Sequence, residues 1–207
     1  MSGPHHCSAD CDEHPFESGP NDTLYSCIRK ESIVTLNEAV PDSGKLVFKP
    51  WDLRYDDTDI VESDADDQLL FQVPFAGAAT LKSILVRIFP NETAPHSFSL
   101  FPNRTDLDFD TIGDVQATET FEFPLTFEGS HIFEFPVKTR LYQNLQNLNI
   151  FFTKSDGSDD PTQIAYIGLR GSFVPFKGDP VVTIYEATPR PSDHPKVNQE
   201  EVFRSYY

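Results

Sequence analysis

Short apolar runs separated by turn-forming residues dominate the chain from Gln68 onward. In residues 81–89, Ile84, Val86 and Ile88 occupy one set of alternating positions, the period-two pattern of a β-strand. Similar runs occupy residues 69–75, 97–101, 118–123, 131–135, 148–153, 164–173 and 181–186. We find no amphipathic helical stretch between these runs, so an α/β fold is not indicated. The pattern predicts an all-β chain, folded as a β-sandwich or jelly roll.

Phenylalanine is unusually frequent, with 18 of 207 residues, and most of these rings occupy alternating strand positions. The gap between two packed sheets is about 10 Å, which large rings can fill. We therefore expect the phenylalanines to fill the core. The sequence Phe-Glu-Phe-Pro occurs at residues 121–124 and again at 133–136. Two copies do not make a repeat architecture, and we interpret them as two strands that end on similar prolines.

Polar segments flank the strand-rich region and set the expected domain limits. Residues 1–23 hold several prolines and no apolar run, which predicts a disordered tail without a signal peptide. We expect the folded domain to span residues 24–194 and a second tail to span 195–207. Near the start of the domain, a partial apolar stripe at 28–36 predicts a short helix, and residues 37–47 are rich in loop-forming residues.

The net charge of −17 narrows the possible partners. Such a surface repels phosphate, so we expect neither nucleic-acid binding nor docking on anionic membranes. No window approaches the roughly 18 apolar residues of a membrane-spanning helix. The charge suits a monomer that meets a basic partner surface, although it is equally typical of simple solubility. All three cysteines precede Ile28, and their odd number favours a reducing compartment.

The N-terminal segment carries residues of the types that bind zinc: His5, His6, Cys7, Cys11 and His14. Four ligands from such a stretch can close a tetrahedral site. The segment has no second Cys-x-x-Cys-like element and little apolar sequence to pack around a metal. We interpret it as a tail with adventitious metal affinity.

Residues 56–67 hold seven carboxylates in twelve positions, which raises the question of calcium. The glycine and glutamate that an EF-hand loop needs at its sixth and twelfth positions are missing from either register. Residues 106–110 fail in the same way, and there Leu107 and Phe109 alternate with the acids. We interpret both stretches as solvated acidic loops, and the alternation in the second also allows a half-buried edge segment.

Catalytic motifs are missing from the chain. Neither a Gly-x-Ser-x-Gly elbow, a glycine-rich phosphate loop nor a Cys-x-x-Cys motif occurs. His96, His131 and His194 have no evident partner in sequence. We therefore expect no enzyme activity and no cofactor.

Two further residues allow two interpretations each. Trp51, the only tryptophan, follows Pro50 and is either a core plug or an interface anchor. Arg170 lies between Gly168 and Gly171, which predict a bulge or a close backbone approach. Its side chain either forms an internal ion pair with the acidic residues 56–67 or contacts a partner.

Several separated blocks of sequence resemble the PITH domain family. They are Phe48-Lys49-Pro50-Trp51, residues 62–71, Asn103-x-x-x-Leu107-Asp108-Phe109, residues 166–173, and residues 185–187 with 192–194. The order of the blocks makes the resemblance specific over residues 47–194. It implies a jelly-roll β-sandwich, similar to the galactose-binding-like fold, that binds the 26S proteasome through its 19S regulatory particle. It also implies a location in cytoplasm and nucleus.

The chain departs from the thioredoxin-linked members of that family. It has no Trp-Cys-Gly-Pro-Cys sequence and no βαβ unit, so it resembles the free-standing type and redox activity does not transfer. The blocks suggest partner contacts at Lys49, Trp51, Glu62, Asp64, Asp66 and Arg170, although these residues can equally be fold determinants. The alternative function is a sandwich that binds a small ligand, either a sugar or a peptide.

Overall fold

The computed structural model describes residues 21–124, 126–129, 131–154 and 160–176. Within these residues nine strands form, in chain order: β1 (Val34–Leu36), β2 (Val61–Glu62), β3 (Leu69–Arg87), β4 (Ser97–Pro102), β5 (Glu119–Glu122), β6 (Ile132–Pro136), β7 (Leu145–Thr153), β8 (Gln163–Ile164) and β9 (Tyr166–Pro175). One turn of α-helix, α1 (Ser43–Leu46), precedes β2. Short 3-10 turns occupy Tyr25–Cys27, Lys30–Ser32, Trp51–Leu53, Ile112–Asp114 and Thr139–Leu141. In the described part of the chain, no helix has the length and apolarity to cross a membrane.

β3 connects two layers of antiparallel strands because it changes partners along its length. Its first half pairs with β1 and β7, and the layer continues through β4 to β5. Its second half pairs with β6 on one side and β9 on the other. β2 and β8 form a separate two-stranded ladder. This arrangement confirms the prediction of an all-β, jelly-roll sandwich.

The transition inside β3 shows why its sequence looked like two strands. Between the two apolar runs lie Ala76 to Thr80, small residues that carry no strong hydrophobic signal. At Gly77 an added Cβ would lie 2.5 Å from the Val174 carbonyl oxygen, so the missing side chain lets β9 approach. The strand therefore continues through a segment whose composition resembles a turn.

Rings from both layers fill the space between them. Phe98 on β4 is fully buried, and its ring centroid lies 5.1 Å from that of Phe121 and 5.0 Å from that of Phe135 on β6. The two Phe-Glu-Phe-Pro copies face each other across the layers, with 5.8 Å between the centroids of Phe123 and Phe133. The prediction that phenylalanines fill the core is confirmed.

A second, smaller core covers the outer face of the first layer. Leu107 packs there with Leu70 and Phe101, whereas Phe109 is 37% exposed. Of residues 106–110 only Leu107 is buried, so this stretch is the mostly exposed acidic loop of the first interpretation and the alternative of a half-buried edge segment is wrong. The segment is a loop that leads into a 3-10 turn.

The first part of the domain differs from the predicted helix and loop. A helix over residues 28–36 is wrong: a 3-10 turn at Lys30–Ser32 precedes β1, which pairs with the start of β3. The predicted loop over 37–47 contains α1, and the Glu38 carboxylate accepts hydrogen bonds from the amides of Asp42, just before this helix, and Gly44, in its first turn. β-branched residues at 34 and 35 favour the strand over a helix.

Several expectations fall on residues outside the described ranges. These are the candidate zinc ligands His5, His6, Cys7, Cys11 and His14, the strand at 181–186, residue His194 and the tail at 195–207.

Asp22 and Thr23, which the predicted boundary placed in the first tail, both contact β9 through Arg170. The domain therefore includes at least these two residues ahead of Leu24.

Candidate functional site

Two buried cations fix the loop of residues 49–60, which we call the clamped loop. The Lys49 ammonium donates to the carbonyl oxygens of Asp56, at 2.7 Å, and Asp59, at 2.6 Å. Arg87, the last residue of β3, is 1% exposed, and its guanidinium donates to the carbonyls of Arg54 (2.8 Å) and Asp56 (3.0 Å). Both cations therefore donate to the same carbonyl oxygen, that of Asp56.

Carboxylates at the surface of the clamped loop balance these buried charges. Asp57 forms an ion pair with Arg87 at 2.5 Å. Burial lowers the pKa of Lys49, and the nearby carboxylates of Asp56 and Asp59 oppose that shift. Hydrogen bonds from Thr58 lower the pKa of Asp56. Buried cations carry a desolvation penalty that only well-placed partners offset, so this network favours one loop conformation over others.

An aromatic–arginine stack lies on the outside of the clamped loop. The Arg54 guanidinium carbon is 4.3 Å from the centroid of the Trp51 ring and 4.7 Å from that of Tyr55. Tyr55 is 51% exposed, Trp51 is partly exposed, and neither residue belongs to the two apolar cores. The interpretation of Trp51 as a core plug is therefore wrong. Tryptophan, tyrosine and arginine are the residues that most often dominate binding energy at protein interfaces.

The carboxylates predicted at residues 62, 64 and 66 lie at the end of β2 and on the turn that follows it. We call residues 62–67 the acidic turn. Asn37, at a φ of 67°, holds it: its amide donates to an Asp66 carboxylate oxygen at 2.7 Å, and its Oδ1 accepts from the Ala65 amide at 3.0 Å. Glu62 accepts from Gln163 at 2.5 Å, while Asp64 is exposed.

The acidic turn is ordered by hydrogen bonds from neighbouring segments. Among the residues that the structure describes, no group of three or more His, Cys, Asp or Glu side chains is placed to hold a metal. Asparagine tolerates the left-handed backbone that Asn37 adopts. The turn therefore presents carboxylates in a defined arrangement.

Arg170 lies apart from both segments. Its guanidinium pairs with Asp22 at 2.9 Å and with Glu134 at 2.9 Å. The hydrogen bond from Arg170 lowers the pKa of Asp22. The predicted ion pair between Arg170 and residues 56–67 is wrong, since Arg87 is the arginine that reaches them.

The two glycines that flank Arg170 allow close packing. An added Cβ on Gly171 would lie 2.0 Å from the Thr80 carbonyl oxygen, which confirms the predicted close backbone approach. Arg170 is opposite Ser83, four residues along β3 from Arg87. At about 3.3 Å per residue, that separation is roughly 13 Å, so Arg170 contributes nothing directly to the clamped loop.

The sequence prediction missed several residues that organise this surface: Asn37, Arg54, Tyr55, Arg87 and Lys154. Arg87 could have been found from the sequence, because it is a charged residue within an apolar strand run. A charged side chain is buried only when it has partners, so this position predicts a paired arginine. Lys154 follows the same rule: its ammonium donates to the carbonyls of Glu92 at 2.6 Å and Asp160 at 2.8 Å. Lys49, predicted as a partner contact, is buried and holds the loop from within.

Two surface clefts accompany these segments. One, of about 380 Å³, lies beside the clamped loop, and the side chains that line it include Tyr25, Leu46, Phe48, Pro50 and Leu53. Another, of about 400 Å³, is lined by residues including Asn91, Glu92, His96, Phe123 and Phe127. Of these two clefts, the first is lined by residues of the block 48–51, and the second by none of 48–51 or 62–71.

Comparison with known proteins identifies relatives over most of the chain. The PITH domain model matches residues 14–189. PITH domain-containing protein 1 of Danio rerio is 37% identical over 184 residues, which cover 88% of this chain and 86% of that protein. The Homo sapiens protein of the same name is 35% identical over 189 residues, covering 91% and 88%.

Solved structures with a similar fold include two carbohydrate-binding modules. The CBM32-3 module of a family 31 glycoside hydrolase from Clostridium perfringens has a TM-score of 0.51 and 12% identity, covering 70% of this chain and 95% of the module. The family 32 module of NanJ from C. perfringens, in complex with galactose, has a TM-score of 0.50 and 10% identity, covering 72% and 97%. At these identities the similarity establishes the jelly-roll fold alone.

Proposed function

The chain belongs to the PITH domain family, and we propose that it is a non-catalytic protein-interaction domain that docks on the 19S regulatory particle of the 26S proteasome. The resemblance described above supplies the partner. The observation that carries the proposal is the exposed stack of Trp51, Arg54 and Tyr55 on the clamped loop. In this proposal the protein acts as a monomer in cytoplasm and nucleus, and binds neither nucleic acid nor membrane.

The rigidity of the clamped loop supports a binding role. Lys49 and Arg87 fix its backbone before any partner arrives. Ordering a mobile loop on binding consumes free energy, so a loop that is already ordered retains more of its contact energy as affinity. A surface stack that merely covered the core would need no such buried cations beneath it.

Small-ligand binding, the alternative function, has less support. The carbohydrate-binding modules share the fold at 10–12% identity, and one fold hosts many functions. The cleft lined by His96 and Phe127 lies away from the sequence blocks that identify the family. We therefore keep this alternative as a prediction from the fold.

A matched pair of leucines tests the proposed docking. Leu53 and Leu141 are 46% and 40% exposed, and each ends a 3-10 turn. With purified regulatory particle immobilised for biolayer interferometry, we expect Leu53→Ala to weaken binding about tenfold and Trp51→Ala by more, because the anchors dominate the energy. Leu141→Ala is the control and leaves the affinity unchanged.

Two results would overturn the proposal. One is a wild-type chain that fails to bind the purified particle at low salt. The other is an equal loss of affinity in Leu53→Ala and Leu141→Ala, which would move the footprint away from the clamped loop. Circular dichroism of each variant establishes that its fold is intact.

A further inference from the structure

We propose that the cleft beside the clamped loop receives an apolar side chain from a lysine- and arginine-rich segment of the partner. This inference rests on the proposed docking function and adds the chemistry of the bound segment. Its starting point is a pair of leucines, Leu46 on α1 and Leu53 on the clamped loop, which are 50% and 46% exposed and line the same cleft. Buried Phe48 and the ring of Pro50 supply further apolar lining.

The cations that line this cleft are already engaged with the protein. Lys45 forms an ion pair with Asp42 at 2.7 Å. The Lys30 ammonium donates to the Tyr25 hydroxyl and lies 3.7 Å from the centroid of that ring. Lys49 is occupied by two carbonyls of the clamped loop. The lining therefore offers apolar surface without an unengaged lysine that would attract an acidic ligand.

The clamped loop, which supplies one side of the cleft, carries more acidic than basic side chains. Between residues 49 and 67 the chain has eight carboxylates against Lys49 and Arg54 as the only lysine and arginine. The cleft itself is lined by Glu31, Asp42 and Asp59 and by three lysines that already have partners within the protein. A partner segment with an apolar residue between basic residues matches both features, because complementary charge speeds association and excludes acidic competitors. An apolar segment without charge would contact the apolar lining of the cleft and leave the carboxylates of the clamped loop without a contact from the partner.

Short synthetic peptides test the inference directly. The probe has a central leucine between runs of lysine, and its matched controls carry serine in place of the leucine or glutamate in place of the lysines. Trp51 is the only tryptophan, so its indole N–H is a single, assignable NMR signal beside the cleft. We expect the lysine–leucine peptide to shift that signal and the amides of Leu46 and Leu53 in the ¹⁵N-labelled chain.

The controls decide between this occupant and others. We expect the serine peptide to bind at least tenfold more weakly, and the glutamate peptide to cause no shift at the same concentration. In the protein, Leu46→Ser is expected to weaken binding of the lysine–leucine peptide at least tenfold, while Leu141→Ser leaves it unchanged. Equal binding of the serine and leucine peptides, or shifts confined to other surfaces, would overturn the inference.

Binding to the purified regulatory particle separates the two proposals. If Trp51→Ala abolishes that binding while no peptide shifts the Trp51 signal, docking stands and the basic-segment inference fails. If the lysine–leucine peptide binds in the cleft while wild-type chain fails to bind the particle, the cleft chemistry stands and the proteasome proposal fails. Peptide binding that survives Leu46→Ser would also place the ligand outside the cleft.

Discussion

The phenylalanine-filled core and the clamped loop are ordered by different forces. Around Phe98 the contacts are rings from both layers, and the stabilisation is non-directional and grows with the volume packed. Around Lys49 and Arg87 the contacts are hydrogen bonds from single cations to specific carbonyls. The core therefore depends on how much is buried, whereas the loop depends on which atoms are paired. Substitutions in the two regions should have different consequences.

Removing a central ring is the largest test of this comparison. Phe98 is fully buried and contacts the rings of Phe121, Phe123, Phe135 and Phe152. We expect Phe98→Ala to lower the free energy of unfolding by about 3–5 kcal/mol, because a large cavity forms between the layers. Urea denaturation followed by circular dichroism measures this loss.

Two further variants sharpen that measurement. Phe98→Leu keeps most of the volume and should cost clearly less than Phe98→Ala. Phe109→Ala, at a ring 37% exposed, should cost under about 1 kcal/mol. Equal losses in Phe98→Ala and Phe109→Ala would contradict a core held by inter-layer ring packing.

The same comparison explains which parts of the fold the sequence predicts. Burial on one face of a strand gives period-two alternation, so runs such as 97–101 and 148–153 predicted β4 and β7. β2 has only two residues and β1 only three, too few for a period to emerge. The merging of two runs into β3 depends on the approach of β9 at Gly77, a contact distant in sequence.

The candidate site was predicted only in part, for a related physical reason. The blocks at residues 48–51 and 62–71 include Trp51 and the acidic turn, and the surface position of Trp51 matches one of its two interpretations. The sequence did not predict which arginine pairs with the acidic residues 56–67, because Arg87 and Arg170 both lie in apolar strands. Which of them reaches Asp57 depends on the β3–β9 register. Hydrogen bonds to backbone carbonyls leave no pattern in side-chain sequence, so the role of Lys49 was equally hidden.

Removing one cation from the clamped loop is the second test. Lys49→Met keeps the aliphatic stem and removes the ammonium, so the Asp59 carbonyl oxygen loses this donor and the Asp56 carbonyl oxygen keeps the one from Arg87. We expect a loss of about 1–3 kcal/mol, smaller than that of Phe98→Ala. The emission of Trp51, which lies on the same loop, should shift and its quenching by acrylamide should increase.

A second lysine provides the matched control for that variant. Lys45 is more exposed and pairs with Asp42 at the surface. Lys45→Met should leave both the Trp51 emission and the stability nearly unchanged, since exposed ion pairs contribute little. A clamped loop whose Trp51 emission is unaffected by Lys49→Met would show that its order comes from apolar packing, and the contrast with the core would disappear.

The smallest expected effect is at Asp22. Its contact is a partly exposed ion pair with Arg170, and not a buried ring or a buried cation that donates to carbonyl oxygens. The hydrogen bond from Arg170 lowers the pKa of Asp22 below its ordinary value of 3.8. A carboxylate with a lowered pKa in the folded state stabilises the protein above the unfolded pKa, and this contribution is lost as the pH falls through the folded pKa. We expect Asp22→Asn to cost at most about 1 kcal/mol at neutral pH, since solvent screens the pair.

The pH dependence of that small effect distinguishes an ion pair from simple packing. The difference in free energy of unfolding between wild type and Asp22→Asn should be constant from neutral pH to about pH 5 and shrink below pH 3.8, as the Asp22 carboxylate becomes protonated. If the difference in free energy of unfolding between wild type and Asp22→Asn is unchanged at pH 3, the Asp22 side chain contributes through packing. The first residues of the domain would then be stabilised by buried volume, as the core is, and not by an ion pair.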